Sequence, residues 1–205
     1  MPRKLNHRIG FVTGVAVVLA LSFSPASSAR SAFAQQVHDA PPEIPVKYRK
    51  GVAAFEGRVK EYAVMREGME EKLPKLPKES TPEQIQAHKT AFEEMVRAAR
   101  IGAKPGDAFK PDVAGYIRAT IRKEFQGKER QKLRETVLEA DTKGVPLRVN
   151  YTYPEAKELV EMPPTLLLKL PQLPKQVRYR FVGRNLLLVD RENGLIVDYM
   201  LNAVP

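Results

Sequence analysis

Cysteine and tryptophan are absent from this 205-residue chain, and histidine occurs only three times. Without cysteine there is no disulfide framework, no thiolate metal site, no Cys nucleophile and no lipid-modified cysteine. His7, His38 and His88 are scattered. No two stand at i, i+4, and no group of them approaches zinc-ligand spacing. Serine is almost as scarce: Ser80 is the only one after residue 34, which leaves serine-hydrolase chemistry without a nucleophile in a suitable motif. Gly-rich phosphate loops, G-x-S-x-G elbows and S-x-x-K motifs are missing. No cofactor is therefore expected. Long hydrophobic runs are also lacking. The one extended apolar stretch, Ile9 to Phe23, has 15 residues, short of the roughly 20 that span a bilayer as a helix.

That stretch belongs to a three-part pattern. Arg3, Lys4 and Arg8 precede it, and Pro25 with a run of Ser and Ala follows, ending at Ala32-Phe33-Ala34 before Gln35. A basic start, a short apolar centre and a small-x-small end are the layout of a secretory signal peptide. The expectation is cleavage after Ala34 and a periplasmic or secreted protein, with no transmembrane span left. An uncut signal acting as an N-terminal anchor is the alternative. The 171 residues after Ala34 carry a net charge of about +6, because Arg3, Lys4, Arg8 and Arg30 leave with the signal. Such a charge favours anionic partners without demanding one.

Residues 35–46 hold Pro41, Pro42 and Pro45 and read as an extended leader. Helical periodicity then begins. Val52, Phe55, Val59, Tyr62, Met65 and Met69 form one stripe, which Lys72-Leu73-Pro74 ends. Thr81, Pro82 and Gln84 signal a capped start to a second helix. Its stripe is Ile85, His88, Phe92, Met95 and Ala99, with Arg97 and Arg100 in the last turn and Gly102 as the C-cap. His88 on this stripe reads as a packing residue. A third helix starts at Pro111, stapled by Phe109, with Val113, Ile117, Ile121 and Phe125 on one face. Gly127 breaks the chain, and a charged fourth helix runs from about Lys128 to Ala140 with Leu133 and Val137 inward.

After Gly144 the period changes to two. Leu147, Val149, Tyr151 and Tyr153 alternate with polar residues and predict a strand. A Pro-rich crossing carries Leu166–Leu168. Val177, Tyr179 and Phe181 alternate with Arg178 and Arg180; Gly183-Arg184 turns into Asn185–Val189; Arg191–Gly194 turns again into Leu195–Met200. Helices first and an antiparallel meander last make an α+β fold: helical region 47–144, meander region 145–205, with one shared core or two. Leu186, Leu187, Leu188 and Val189 are apolar on both faces, so both faces need cover. Helices supply one cover. The Leu166–Leu168 segment, or a second subunit in a homodimer, supplies the other, which makes these four residues a candidate partner surface.

Lys72-Leu73-Pro74-Lys75-Leu76-Pro77-Lys78 is echoed by Lys169-Leu170-Pro171-Gln172-Leu173-Pro174-Lys175. Both contain P-x-x-P spacing, suited to polyproline II. They read as stiff connectors tucking leucines onto the core, or as docking segments for an aromatic groove. The carboxylate pairs Glu70/Glu71 and Glu93/Glu94 point about 100° apart on a helix and so read as solvated. Asp107 precedes the third helix and reads as a turn former. The strongest surface signal is basic: Lys175, Arg178, Arg180 and Arg184 on and beside one strand, either an anion-binding ribbon or charges that guard a sheet edge.

The order Arg58-Val59-x-x-Tyr62, Lys72-Leu73-Pro74, Ala99-Arg100 to Gly106-Asp107-Ala108-Phe109, Tyr179-Arg180-Phe181-Val182-Gly183 and Leu195-Ile196-Val197-Asp198 resembles a group of uncharacterised exported bacterial proteins. The resemblance spans most of the chain after the signal. It implies a shared fold and an envelope setting, and it assigns no catalytic residue. The closing hairpin is also similar to that of periplasmic nickel/cobalt homeostasis proteins, without their histidine-rich character.

These features favour a non-enzymatic envelope protein that binds another envelope protein or an anionic polymer. Export sets nucleic acid aside as a partner. Two alternatives stand beside it. One is a carboxylate-dependent hydrolase of cell-wall or glycan material using Asp107 and a helix glutamate. The other is a periplasmic metal or stress-response protein.

Overall fold

The computed structural model describes residues 43–127, 130–140, 142–154, 157 and 162–205. The signal sequence, its cleavage position, most of the leader and the first residues of the expected fourth helix lie outside them. All described residues belong to one structural unit, Asp39–Pro205.

Among the described residues, five helices precede a three-stranded antiparallel sheet: α1 Val46–Glu70, α2 Pro82–Ala99, α3 Pro111–Glu124, α4 Gln131–Glu139, the single turn α5 Pro164–Leu167, then β1 Val177–Val182, β2 Asn185–Asp190 and β3 Ile196–Met200. The strand order is β1-β2-β3, so the fold is α+β. Among the described residues no helix is long and apolar enough to cross a membrane.

The stripe on α1 buries Val52, Phe55, Val59 and Tyr62, while Met65 and Met69 are half-buried. Helix α2 has the full capping box: Thr81 Oγ1 accepts from Gln84 N–H at 3.3 Å, and Gln84 Oε1 accepts from Thr81 N–H at 2.8 Å. Two departures follow along this helix. Ile85 is 50% exposed, and the deep contacts are Phe92 and Val96 rather than Ala99. Nor does Gly102 cap the C-terminus. Asn150, held at φ 61°, donates Nδ2–H to Arg100 O at 2.6 Å and satisfies that end from a distant segment. On α3, Val113, Ile117 and Ile121 are fully buried. Phe109 stacks on Phe55 with ring centroids 5.5 Å apart, which joins α1 to the start of α3. The two helices approach so closely that a Cβ on Gly51 would lie 2.8 Å from Asp112 O.

The meander pairs Val177 with Asp190 through Val182 with Asn185, and Leu186 with Met200 through Val189 with Ile196, with a bulge at Leu188/Val189. Gly194 takes φ 73° in the second turn, the left-handed position that glycine fills without a side-chain clash. The helix-facing side of the sheet, with Tyr179, Phe181, Leu186 and Leu188, joins Phe55, Phe92, Ile117 and Ile121 in one hydrophobic cluster.

Two expectations about the meander need correction. Residues 147–153 do not form a strand. Pro146 lacks an N–H, and Asn150 turns the backbone left-handed, so only Thr152 makes an isolated bridge, to Leu195. Three backbone bonds nevertheless tie Asn150, Tyr151 and Tyr153 to Ile196 and Gly194. This irregular segment supplies the second cover. Leu187, Val189 and Ile196 pack against Val145, Tyr153 and Leu147, whereas Leu166 packs in the helix-side cluster. Leu186, Leu187, Leu188 and Val189 are all 0% exposed. They form no exposed partner surface, and the reason for placing a second subunit there is removed.

Candidate functional site

Two polar assemblies stand out, one buried and one open. The buried one lies between the sheet and the helices. Asp190, at the end of β2, is fully buried. Its Oδ2 accepts from Tyr62 Oη–H at 2.7 Å, and its Oδ1 accepts from Glu192 N–H at 3.0 Å and Asn193 N–H at 3.2 Å. Arg66 Nε lies 3.1 Å from Oδ2 with its N–H not aimed at that oxygen, an ion pair more than a hydrogen bond. The same guanidinium reaches Glu70 at 3.2 Å, pairs with Glu192, and covers the Phe92 ring at 4.6 Å. Burial first, then the Asp190 charge, holds the Tyr62 phenol well above its ordinary value.

Asp198 on β3 performs a parallel task. Its carboxylate accepts from Gly106 N–H at 2.7 Å, Ala108 N–H at 2.8 Å and Phe109 N–H at 2.9 Å. Three donors on one buried carboxylate fix the loop that leads into α3. Within the buried assembly Arg100 lies between the surroundings of Asp198 and Asp190, donating Nη2–H to Val197 O at 2.7 Å and lying 4.9 Å from the Tyr62 ring centroid. Sequence spacing singles out neither Asp190 nor Asp198. The available signal was an acid that directly continues an apolar strand, in Leu188-Val189-Asp190 and Ile196-Val197-Asp198. These carboxylates are saturated by internal donors, so their chemistry is structural.

Asp107 is exposed, and its Oδ2 accepts from Lys104 N–H at 2.7 Å, closing a turn. Glu93 is engaged by Arg97 and Thr152. Glu124 is 4% exposed and accepts from Thr165 Oγ1–H and Lys169 Nζ–H, both at 2.6 Å. Burial works to raise its carboxyl pKa, but the Lys169 and Thr165 hydrogen bonds prevail and lower it. A pocket of about 260 Å³ beside it is walled by Tyr48, Tyr116 and Lys169. Among the described residues no three His, Asp or Glu side chains gather as a metal would require.

The open assembly is a cleft of about 450 Å³ between the 171–175 connector and β1, with Lys175, Arg178, Arg180 and Arg191 along it. Its floor and sides include Leu167, Leu173 and Val177. Local structure explains the convergence. Val177 N–H donates to Pro174 O at 3.1 Å, turning the connector straight into β1, and Arg191 N–H donates to Gln176 O at 2.8 Å, setting the β2 end beside it. Alternation on β1 buries Val177, Tyr179 and Phe181 and leaves Arg178 and Arg180 half-buried. Arg178 Nε is buried with no hydrogen-bond partner. Burial lowers the Arg178 pKa, and the neighbouring Arg191 charge lowers it further against the pull of Asp190.

Three of the four basic residues singled out in the sequence thus share one cleft. Arg184 does not. It sits in the turn at the far end of β1 and donates Nε–H to Val204 O at 3.2 Å. Arg191 takes its place, a residue the sequence offered only as part of a turn. The second Lys-Leu-Pro copy forms the cleft wall and tucks Leu170 and Leu173 onto the core; the first tucks only Leu73, with Leu76 40% exposed. Compared with known proteins, the chain matches no family model, no curated protein and no solved structure.

Proposed function

We propose that this chain is an exported envelope protein that acts by binding, and that the cleft between the 171–175 connector and β1 receives an anionic group of its partner. One observation carries the reading: Lys175, Arg178, Arg180 and Arg191 converge on one open cleft. The two carboxylates that flank Arg191 in sequence are both engaged elsewhere: Asp190 with Tyr62 and Arg66, and Glu192 with Arg66. The Arg191 charge presses on Arg178, and an anion seated between them relieves that repulsion. The three-part pattern of residues 1–34 supports the periplasmic or secreted setting. The hydrolase alternative gains no geometry, because Asp107 lines neither cleft and the buried glutamate is held by a lysine.

Chemical footprinting tests the reading. The purified full chain is treated with an arginine-selective dicarbonyl, with and without a heparin oligosaccharide as polyanion probe. Arg178 and Arg191 are expected to be protected by the probe, and Arg148, away from the cleft, to react equally in both. Equal reactivity of Arg178 and Arg191 with and without probe rejects the cleft.

A further inference from the structure

Residues 162–175 contain no acidic residue, and they hold five leucines with Lys169 and Lys175. Three of those leucines are accounted for by the core: Leu166 and Leu170 are buried, and Leu173 is half-buried. The other two are not. Leu167 is 46% exposed and Leu168 66% exposed, at the end of the α5 turn. That turn is closed by its own backbone: Leu167 N–H donates to Pro163 O at 3.0 Å and Leu168 N–H to Pro164 O at 3.1 Å. The leucines are therefore held outward by a formed turn rather than left on a loose loop. Leu167 also lines the cleft that holds Lys175, Arg178 and Arg191. Exposed Leu167 and a group of cations thus share one edge of the molecule, and exposed Leu168 follows Leu167 directly in the chain.

We infer that this edge docks on a membrane surface rich in anionic phospholipid. Leu167 and Leu168 enter the acyl boundary, and the cleft cations meet headgroup phosphates. This rests on the anion-binding reading above and names the source of the anion. A soluble polymer accounts for the cations but gives the leucines nothing to contact. A second copy of the chain would bring like charges together around the leucines. An anionic bilayer answers both features: apolar insertion and surface charge each contribute to interfacial binding. Lys and Arg stems also suit such a boundary, since their alkyl parts lie against apolar surface while the charge stays at the headgroups.

The test is co-sedimentation of the full chain with vesicles of phosphatidylglycerol in phosphatidylcholine, and of phosphatidylcholine alone. Heparin-oligosaccharide binding is measured in parallel. Wild type is expected to sediment with the anionic vesicles only. Leu168→Ser, at a residue outside the cleft lining, is expected to lose roughly threefold or more of vesicle affinity, as removal of one partly inserted leucine implies, while its heparin binding and thermal unfolding stay as in wild type. Arg178→Glu/Arg191→Glu is expected to lose both. Vesicle binding unchanged by the leucine variant overturns the docking proposal, as does heparin binding by a wild type that ignores every vesicle; in both cases the cleft reading survives. Heparin binding unchanged in Arg178→Glu/Arg191→Glu overturns the cleft reading itself.

Discussion

Tyr62 donates its phenolic hydrogen to Asp190 across 2.7 Å, although 128 positions separate them in the chain. The bond links the middle of α1 to the end of β2 on the buried side of the sheet, so one contact holds the helical layer and the meander in register. Asp190→Ala leaves the Tyr62 hydroxyl and two backbone N–H groups without their acceptor and removes one of the three carboxylates around the Arg66 guanidinium. A loss of about 3–5 kcal/mol in unfolding free energy is expected, since breaking a buried charged pair strands its partners. Tyr62→Phe removes one donor and leaves Asp190 its other partners, and about 2 kcal/mol is expected. Urea titrations followed by far-UV circular dichroism measure both; equal, small effects would remove Asp190 from this role.

Alkaline stability follows from the same phenol. Burial and the Asp190 charge raise Tyr62, and burial followed by the Glu56 charge raises Tyr179, both well above the usual 10.0. The native state therefore keeps protons that the unfolded chain releases above about pH 10. Stability from these groups is complete below about pH 10 and falls as pH rises toward the folded values. In an absorbance titration of phenolate, Tyr62 and Tyr179 are expected to ionise only together with unfolding. Reversible ionisation of all seven tyrosines below the unfolding transition would contradict this.

Two glycines on α1 give opposite expectations. A methyl at Gly51 meets Asp112 O at 2.8 Å, backbone that moves only with α3. Gly51→Ala is expected to lower stability by about 1–3 kcal/mol through overpacking. Gly57 has nothing within 4 Å of the same methyl, so Gly57→Ala is expected to raise stability by about 0.5–1 kcal/mol through the unfolded chain and helix propensity. Denaturant midpoints of the two variants check the sign directly.

At the start of α2, Thr81→Ala removes the hydroxyl that accepts from Gln84 N–H. The expected loss is about 1 kcal/mol. Because Ile85 and its neighbours are exposed, the loss should appear as faster amide exchange over the first turns of α2 rather than over the sheet.

Local signals in the sequence are enough for the four longer helices and the hairpins, but not for the single turn α5 within the Pro-rich crossing. Thr81-Pro82 with Gln84, Pro111 and the apolar stripes act within a few residues, and so does the glycine of the Arg191–Gly194 turn. What stayed hidden depends on pairs distant in sequence. Leu187 and Val189 announce a covered face but not what covers it, and Val145 and Tyr153 do so through an irregular backbone that alternation mimics. The cleft was half legible: Arg178 and Arg180 share a strand face by period, while Arg191 joins them only because β2 returns antiparallel to Gln176. Arg184, four residues from Arg180, is carried away by the turn. Asp198 stayed silent because the N–H groups it binds belong to a loop some ninety positions earlier.

The most direct measurement is equilibrium binding of a fluorescent heparin oligosaccharide to the full chain at low salt. Arg178→Glu/Arg191→Glu is compared with Lys132→Glu/Lys143→Glu, which makes the same change of net charge at exposed positions outside the basic cleft. The cleft predicts binding lost in the first variant, retained in the second, and weakened in wild type by added salt. Equal losses in the two variants would mean that the probe senses only overall charge, and the cleft would have no claim to be the site.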